Sequence, residues 1–145
     1  IQIKANYKPN TKVSQPIYQE ALAINRNIQS ITKGYYSNGT FNLAFKIKDD
    51  IINVCNLLDM GVSARFEHTF EEYYTKALKE SDRLLDHIRI ANRVHMIRGG
   101  FPEELIARIE LLKMKLVLML ELFRSEVPLD YLNLSNWARQ KLTHT

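Results

Sequence analysis

The chain has 145 residues, of which 46% are hydrophobic and 25% charged, with five glycines and four prolines. This composition excludes a disordered or fibrous protein, and the length suits one domain with one core. The single cysteine, Cys55, excludes an intramolecular disulfide. No charge-free apolar stretch reaches the roughly 18 residues of a membrane span, and residues 1–16 lack the apolar segment of a signal peptide. We therefore expect a cytoplasmic protein with no membrane segment.

The net charge of +4 is unevenly distributed. Residues 16–133 contain fifteen of the twenty basic residues and all sixteen acidic residues, so this part of the chain has a net charge of −1. Residues 1–15 and 134–145 contain basic residues and no acidic residue. The excess of positive charge, which favours polyanionic partners, therefore lies in the two tails.

Residues 1–15 lack helical periodicity, which predicts an extended basic arm. Pro16 suits the first turn of a helix, where its missing N–H group would have no partner. Apolar residues then recur every three or four positions, and Gly34 marks the predicted end of the first helix. These residues are Ile17, Ala21, Ile24, Ile28, Ile31 and Tyr35.

The segment YYSNGT predicts a turn, in which Asn38 or Thr40 is the candidate cap of a second helix. We expect that helix to end at Gly61. Its apolar positions are Ala44, Ile47, Ile51, Val54 and Leu58, widened by Leu43, Ile52 and Cys55.

The third helix is predicted from Phe66 to Ile97, ended by the Gly99-Gly100 pair. Its heptad positions include His95, expected to be partly exposed near the helix end, and Ser81, expected at a close helix contact or bonded to a backbone carbonyl. The other positions in this register are Phe70, Tyr73, Ala77, Leu84, Ile88 and Ala91.

Pro102 and the two glutamates after it predict the start of a fourth helix, because acidic residues are favoured at a helix N-terminus. Its main apolar positions are Leu105, Ile109, Leu112, Leu116, Met119 and Phe123. Leucines outside this stripe predict a second buried side, and we expect a subunit interface that includes Leu111, Leu118 and Leu122.

Short connections between these helices favour antiparallel neighbours. The sequence thus predicts an all-α protein, an antiparallel up-down-up-down four-helix bundle over residues 16–126. The basic arm of residues 1–15 precedes it, and a basic tail of residues 127–145 with a short helix follows.

Catalytic and metal-binding patterns are not found in the sequence. His68 and Glu72 are one helical turn apart, but a single such pair is more typical of a solvated face than of a metal site. Cys55 lies beside an apolar stripe, which is typical of a buried structural thiol. We therefore predict no enzymatic activity, no metal and no cofactor.

Positive residues of the third helix permit two interpretations. They can form an ordinary solvated face with acidic neighbours, or they can contact a phosphate backbone. The residues are Arg83, Arg89, Arg93 and Arg98. The tails also permit two interpretations, because their cations and aromatic rings can bind nucleic acid or simply aid solubility. The tail cations are Lys4, Lys8, Lys12, Arg139 and Lys141.

The helix pattern over about residues 17–125 resembles a bacterial four-helix bundle family. This family includes the ribosomal RNA intervening-sequence proteins and the accessory variability determinant of diversity-generating retroelements. The resemblance rests on IYQEALAINRNIQSITKGYY, FNLAFKIKDDIINVCNLLD and ALKESDRLLDHIRIA, where Ala77 and Ser81 match the small-residue segment and Asp86 lies near the usual acid. Glu80 replaces the glycine that usually precedes the serine.

The resemblance implies a homo-pentamer with a positively charged surface and no enzymatic activity. In the retroelement branch it implies association with a reverse transcriptase and its template RNA. Our leading hypothesis is an accessory subunit that oligomerises and binds RNA or RNA/cDNA. The rival hypothesis is a protein-interaction bundle that makes no direct contact with nucleic acid.

Overall fold

The computed structural model describes residues 11–35, 41–64 and 66–124. Within these ranges the chain forms four helices and no strand, which confirms the all-α prediction for this part of the chain. The helices are α1 (Thr11–Ile31), α2 (Phe41–Ser63), α3 (Glu67–Arg93) and α4 (Glu103–Arg124). None of them is long and apolar enough to cross a membrane.

Several sequence predictions fall outside the described ranges. These are the arm over residues 1–10, the caps Asn38 and Thr40, and the tail with its short helix. The described part of the arm differs from its prediction, because α1 begins at Thr11 and Pro16 lies inside the helix. Pro16 cannot donate a hydrogen bond to the carbonyl of Lys12, yet its preferred φ is helical, so one missing bond near the N-terminus does not end the helix.

The predicted apolar stripes form the core. Each helix packs against two others: α1 against α2 and α4, and α3 against α2 and α4. Most stripe residues are buried, among them Ile24, Ile51, Leu84 and Ile109. Tyr73 is an exception, since the neighbouring Tyr74 is fully buried and stacks on Phe70 with ring centroids 4.1 Å apart.

The end of α1 and the start of α4 agree with the glycine and proline signals in the sequence, whereas α3 ends earlier than predicted. Gly34 has φ +88 just after α1, and α4 follows Pro102. Helix α3 ends at Arg93, because His95 adopts a left-handed conformation with φ +54. The N–H of His95 bonds to the carbonyl of Asn92, and the N–H of Met96 to that of Ala91. This pattern is a Schellman motif with histidine at the position that usually holds glycine.

Gly61 does not end α2, since the helix continues to Ser63. It lies instead where α2 approaches α3: a Cβ atom at this position would be 2.7 Å from Cε1 and 2.9 Å from Cδ1 of Tyr74. The Tyr74 ring is buried and stacked on Phe70, so it has little room to move. Glycine at position 61 therefore permits the close packing of the two helices.

We predict that Gly61→Ala lowers the free energy of unfolding. Overpacking against a buried ring costs about 1–3 kcal/mol, which exceeds the roughly 0.5–1 kcal/mol gained from replacing a helical glycine. Urea denaturation followed by circular dichroism measures the change. The control is Asn56→Ala on the exposed side of α2, expected within about 0.5 kcal/mol of the wild type. A stabilised Gly61→Ala variant would contradict the close contact.

Candidate nucleic-acid interface

Two of the four predicted α3 arginines are engaged in ion pairs within the chain. Arg83 lies 3.5 Å from Glu80, one turn earlier on the same helix. Arg89 donates a 2.9 Å hydrogen bond to Glu110 on α4. Both guanidinium groups remain largely exposed, but their charge is partly offset by the adjacent carboxylates.

A second ion pair joins α3 to α4, between Asp82 and Lys113. Together with the pair of Arg89 and Glu110, it places alternating charges along this side of the two helices. The solvated-face interpretation thus fits Asp82 and Arg89, which bridge to a neighbouring helix and leave little net charge there.

The other two arginines differ from these. Arg93 ends α3 and Arg98 lies in the following turn, and both are exposed. Among the described residues neither is in contact with a carboxylate at ion-pair distance. Their charges are therefore available to an anionic partner.

Contacts between helices bring three further exposed cations to the same end of the protein. A cleft joins the last turns of α1 to the first turns of α4, and Arg26 and Lys33 lie close in sequence to the α1 residues that line it. Asp50, close to the middle of α2, contacts His87, six residues before the end of α3, and Lys46 lies one turn before Asp50. We call Arg26, Lys33, Lys46, Arg93 and Arg98 the cationic end.

None of the five cations of the cationic end forms an ion pair within the described ranges. Arg93 and Arg98 could be predicted from the sequence, whereas Arg26, Lys33 and Lys46 could not, because they lie far from these arginines in sequence. Of the predicted tail cations, Lys12 belongs to α1, but its side chain is outside the described part, as are Lys4, Lys8, Arg139 and Lys141.

The leucines predicted as a subunit interface have a different environment from the one expected. Leu118 and Leu122 are only 2% and 3% exposed in the single chain, and Leu111 is partly buried. Leu118 and Leu122 are thus buried within the single chain, and the subunit interface predicted for these leucines stays a prediction. Helix α4 is therefore buried at residues outside its main apolar stripe as well as along it.

Exposed apolar side chains occur mainly on α2 and α3. On α2, Phe45, Ile52 and Met60 are 60%, 42% and 44% exposed, and seven or eight residues separate each from the next. Ile90 and Val94 are exposed on the last turns of α3. The exposed apolar surface therefore lies mainly on α2 and at the end of α3.

A buried charged cluster joins α2 to α3 next to the cationic end. Asp50 is 4% exposed, and one of its carboxylate oxygens lies 2.5 Å from Nδ1 of His87. Glu80 and Arg83 are on the same side of α3, two turns and one turn before His87, respectively. One oxygen of Glu80 pairs with Arg83, whereas the other is buried without a hydrogen-bond partner.

Burial raises the pKa of Asp50 above its ordinary value of 3.8. The hydrogen bond and the charge of His87 lower this pKa, the charge of Glu80 raises it and Arg83 lowers it, with burial the largest contribution. A buried carboxylate needs such a partner, since removing it from water is costly. The pair with His87 therefore couples the protonation of Asp50 to the packing of α2 on α3.

Cys55 and His68 fit structural roles. Cys55 is 6% exposed, as predicted for a buried thiol, and burial raises its pKa to about 11, so the reactive thiolate is scarce at neutral pH. His68 stacks near Phe66. Within the described ranges no group of three or more histidine, cysteine, aspartate or glutamate side chains is placed to hold a metal ion.

We find no match to this chain among protein-family models, curated proteins or solved structures.

The raised pKa of Asp50 predicts a pH dependence of stability. The folded state holds the proton more tightly than the unfolded state, so stability falls as pH rises from about 3.8 through the folded pKa and is constant above it. Asp50→Asn removes this titration. We expect the free energy of unfolding of the wild type, relative to Asp50→Asn, to fall as the pH rises above about 3.8 in urea denaturation.

The matched control is Asp49→Asn, because Asp49 is the preceding residue and is exposed. Its difference from the wild type should stay nearly constant over the same range. Parallel pH profiles for Asp50→Asn and the wild type would show that burial of Asp50 does not control this titration.

Proposed function

We propose that this chain is a non-catalytic accessory subunit that binds nucleic acid, RNA in particular, through its cationic end. The observation that carries the proposal is the convergence of five exposed, unpaired cations from three separate segments. Self-association, cytoplasmic location and a role beside a reverse transcriptase belong to the same proposal, and the resemblance of the helix pattern supports the last of these.

The proposal includes an up-down-up-down order of the four helices. Contacts between α2 and α3 run in opposite directions, since Asp50 contacts His87 while Gly61 contacts Tyr74. The two ion pairs between α3 and α4 do the same, because the later α3 residue pairs with the earlier α4 residue. In this order the last turns of α1 and α3 meet the first turns of α2 and α4, which assembles the cationic end.

Phosphate binding suits this arrangement better than ordinary surface charge does. Three of the five cations are arginines, whose planar guanidinium groups bind phosphate oxygens in pairs. Held on several segments, the cations can contact successive phosphates of one strand. Such contacts displace condensed counterions, so the affinity should depend strongly on salt.

We predict that Lys33→Gln, Lys46→Gln and Arg93→Gln in one variant weaken RNA binding and flatten its salt dependence. Each lost phosphate contact should reduce the slope of log K against log salt by about 0.7–0.9. Fluorescence anisotropy with a structured RNA, measured over a range of salt concentrations, gives the slope.

The control variant is Lys76→Gln, Lys79→Gln and Lys115→Gln, which removes the same charge away from the cationic end. It should keep most of the wild-type slope. Deleting residues 1–10 and 134–145 tests the tails while sparing α1. Equal slopes for both triple variants would contradict the cationic end, and loss of binding only on deletion would assign the contact to the tails.

A second candidate function is a protein-interaction module, favoured by the exposed apolar residues of α2. Phe45, Ile52 and Met60 lie on its outward side, and the exposed carboxylates of Asp49 and Asp59 flank them. Such a mixture of apolar and acidic side chains is typical of a surface that docks a partner or another copy.

Ile52→Ser with Met60→Ser should reduce self-association if the outward side of α2 forms the subunit contact. Multi-angle light scattering at several protein concentrations measures the mass, and Val117→Ser, at a comparably exposed residue of α4, is the control. An unchanged mass for the α2 variant would remove this surface from the subunit contact.

A further inference from the structure

We propose that the cleft between α1 and α4 binds a single unpaired guanine base of the strand held by the cationic end. This inference rests on the proposed function and adds to it a base preference. The cleft has a volume of about 270 Å³. It is smaller than the roughly 300–1,000 Å³ sites that enclose drug-sized ligands, and its size suits one base.

Apolar and polar residues line different parts of this cleft. Ile31, Pro102 and Leu105 supply apolar surface for the faces of a flat ring. The polar lining consists of Asn27, Ser30, Glu104 and Arg108. The cleft therefore combines apolar surface with several groups that can form hydrogen bonds to a small ligand.

Three of the polar side chains have no hydrogen-bond partner in the described part of the chain. They are Asn27, Ser30 and Glu104, which line the cleft and are exposed to solvent. Arg108 differs, because its Nε donates to Glu20 at 3.3 Å. That contact orients the guanidinium group and leaves its other N–H groups for a ligand.

The chemistry of these groups selects guanine among the four RNA bases. A carboxylate such as that of Glu104 only accepts hydrogen bonds, and the Watson–Crick edge of guanine presents two adjacent donors, N1–H and the N2 amino group. Adenine, cytosine and uracil each place a lone pair beside their donor, which the carboxylate repels. The amide of Asn27 and the guanidinium of Arg108 can donate to the guanine acceptors O6 and N7.

The position of the cleft would allow a base to turn out of the bound strand and enter it. Arg26 and Lys33 lie on α1 next to the lining residues Asn27 and Ile31, and Arg98 lies just before Pro102. Phosphates on either side of the base can therefore contact cations while the base edge meets Glu104. The carboxylate faces the base and not the backbone, which limits repulsion of the phosphates.

The test measures binding of three single-stranded RNA probes by fluorescence anisotropy. Each probe is an oligouridine of roughly ten nucleotides, a length suited to one binding groove, with uridine, guanosine or inosine at one central position. Inosine keeps N1–H but lacks the N2 amino group. We expect the guanosine probe to bind at least about fivefold more tightly than the uridine probe, with inosine between them.

Glu104→Gln should remove most of this preference while retaining salt-sensitive binding of all three probes. Glu103→Gln is the matched control, since Glu103 is the preceding residue, is exposed and does not line the cleft. It should keep the preference, and circular dichroism checks that both variants are folded.

The outcomes separate this inference from the proposed function. Equal affinity of the wild type for the guanosine and uridine probes, with salt-sensitive binding of both, overturns the guanine site and leaves the proposed function standing. An equal loss of preference in Glu103→Gln and Glu104→Gln also overturns it. The absence of binding to any RNA overturns both proposals.

Discussion

The packing of α2 against α3 determines where the functional groups lie. In one part of this contact Gly61 allows the ring of Tyr74 to approach the α2 backbone. In another part the carboxylate of Asp50 is paired with the ring of His87. The first contact depends on the absence of a side chain and the second on a matched pair of polar groups. Because the two are more than two helical turns apart on α2, together they fix both the distance and the register of the helices.

The distribution of charge on the protein surface depends on this register of the helices. Along the junction of α3 and α4, Arg89 meets Glu110 and Asp82 meets Lys113, so the long side of the bundle is nearly neutralised. The five cations of the cationic end form no ion pair within the described ranges, although the exposed Glu103 and Glu104 in the first turn of α4 lie next to this end. A chain whose residues 16–133 sum to −1 can therefore still present a positive surface, because the surface potential depends on local placement and not on the total.

Much of the helical architecture could be predicted from sequence, since apolar spacing and the glycine and proline signals are local. Ile24, Ile51 and Ile109 are in the core as their spacing indicates. Errors arose where a residue acts through a neighbour distant in sequence. Gly61 was interpreted as a helix end because Tyr74 could not be seen beside it, and His95 replaces the glycine that would have marked the end of α3. The burial of Leu118 and the grouping of Lys46 with Arg93 likewise depend on tertiary contacts.

The Schellman motif at the end of α3 has a consequence for recognition. It turns the chain inward, so that Met96 and Ile97 are buried, and the side chain of Asn92 accepts a 2.7 Å hydrogen bond from the N–H of Phe101. Arg93 and Arg98 thus project from a backbone anchored on both sides. A backbone already ordered before binding loses little conformational entropy when the partner arrives, so more of the electrostatic attraction is retained as affinity.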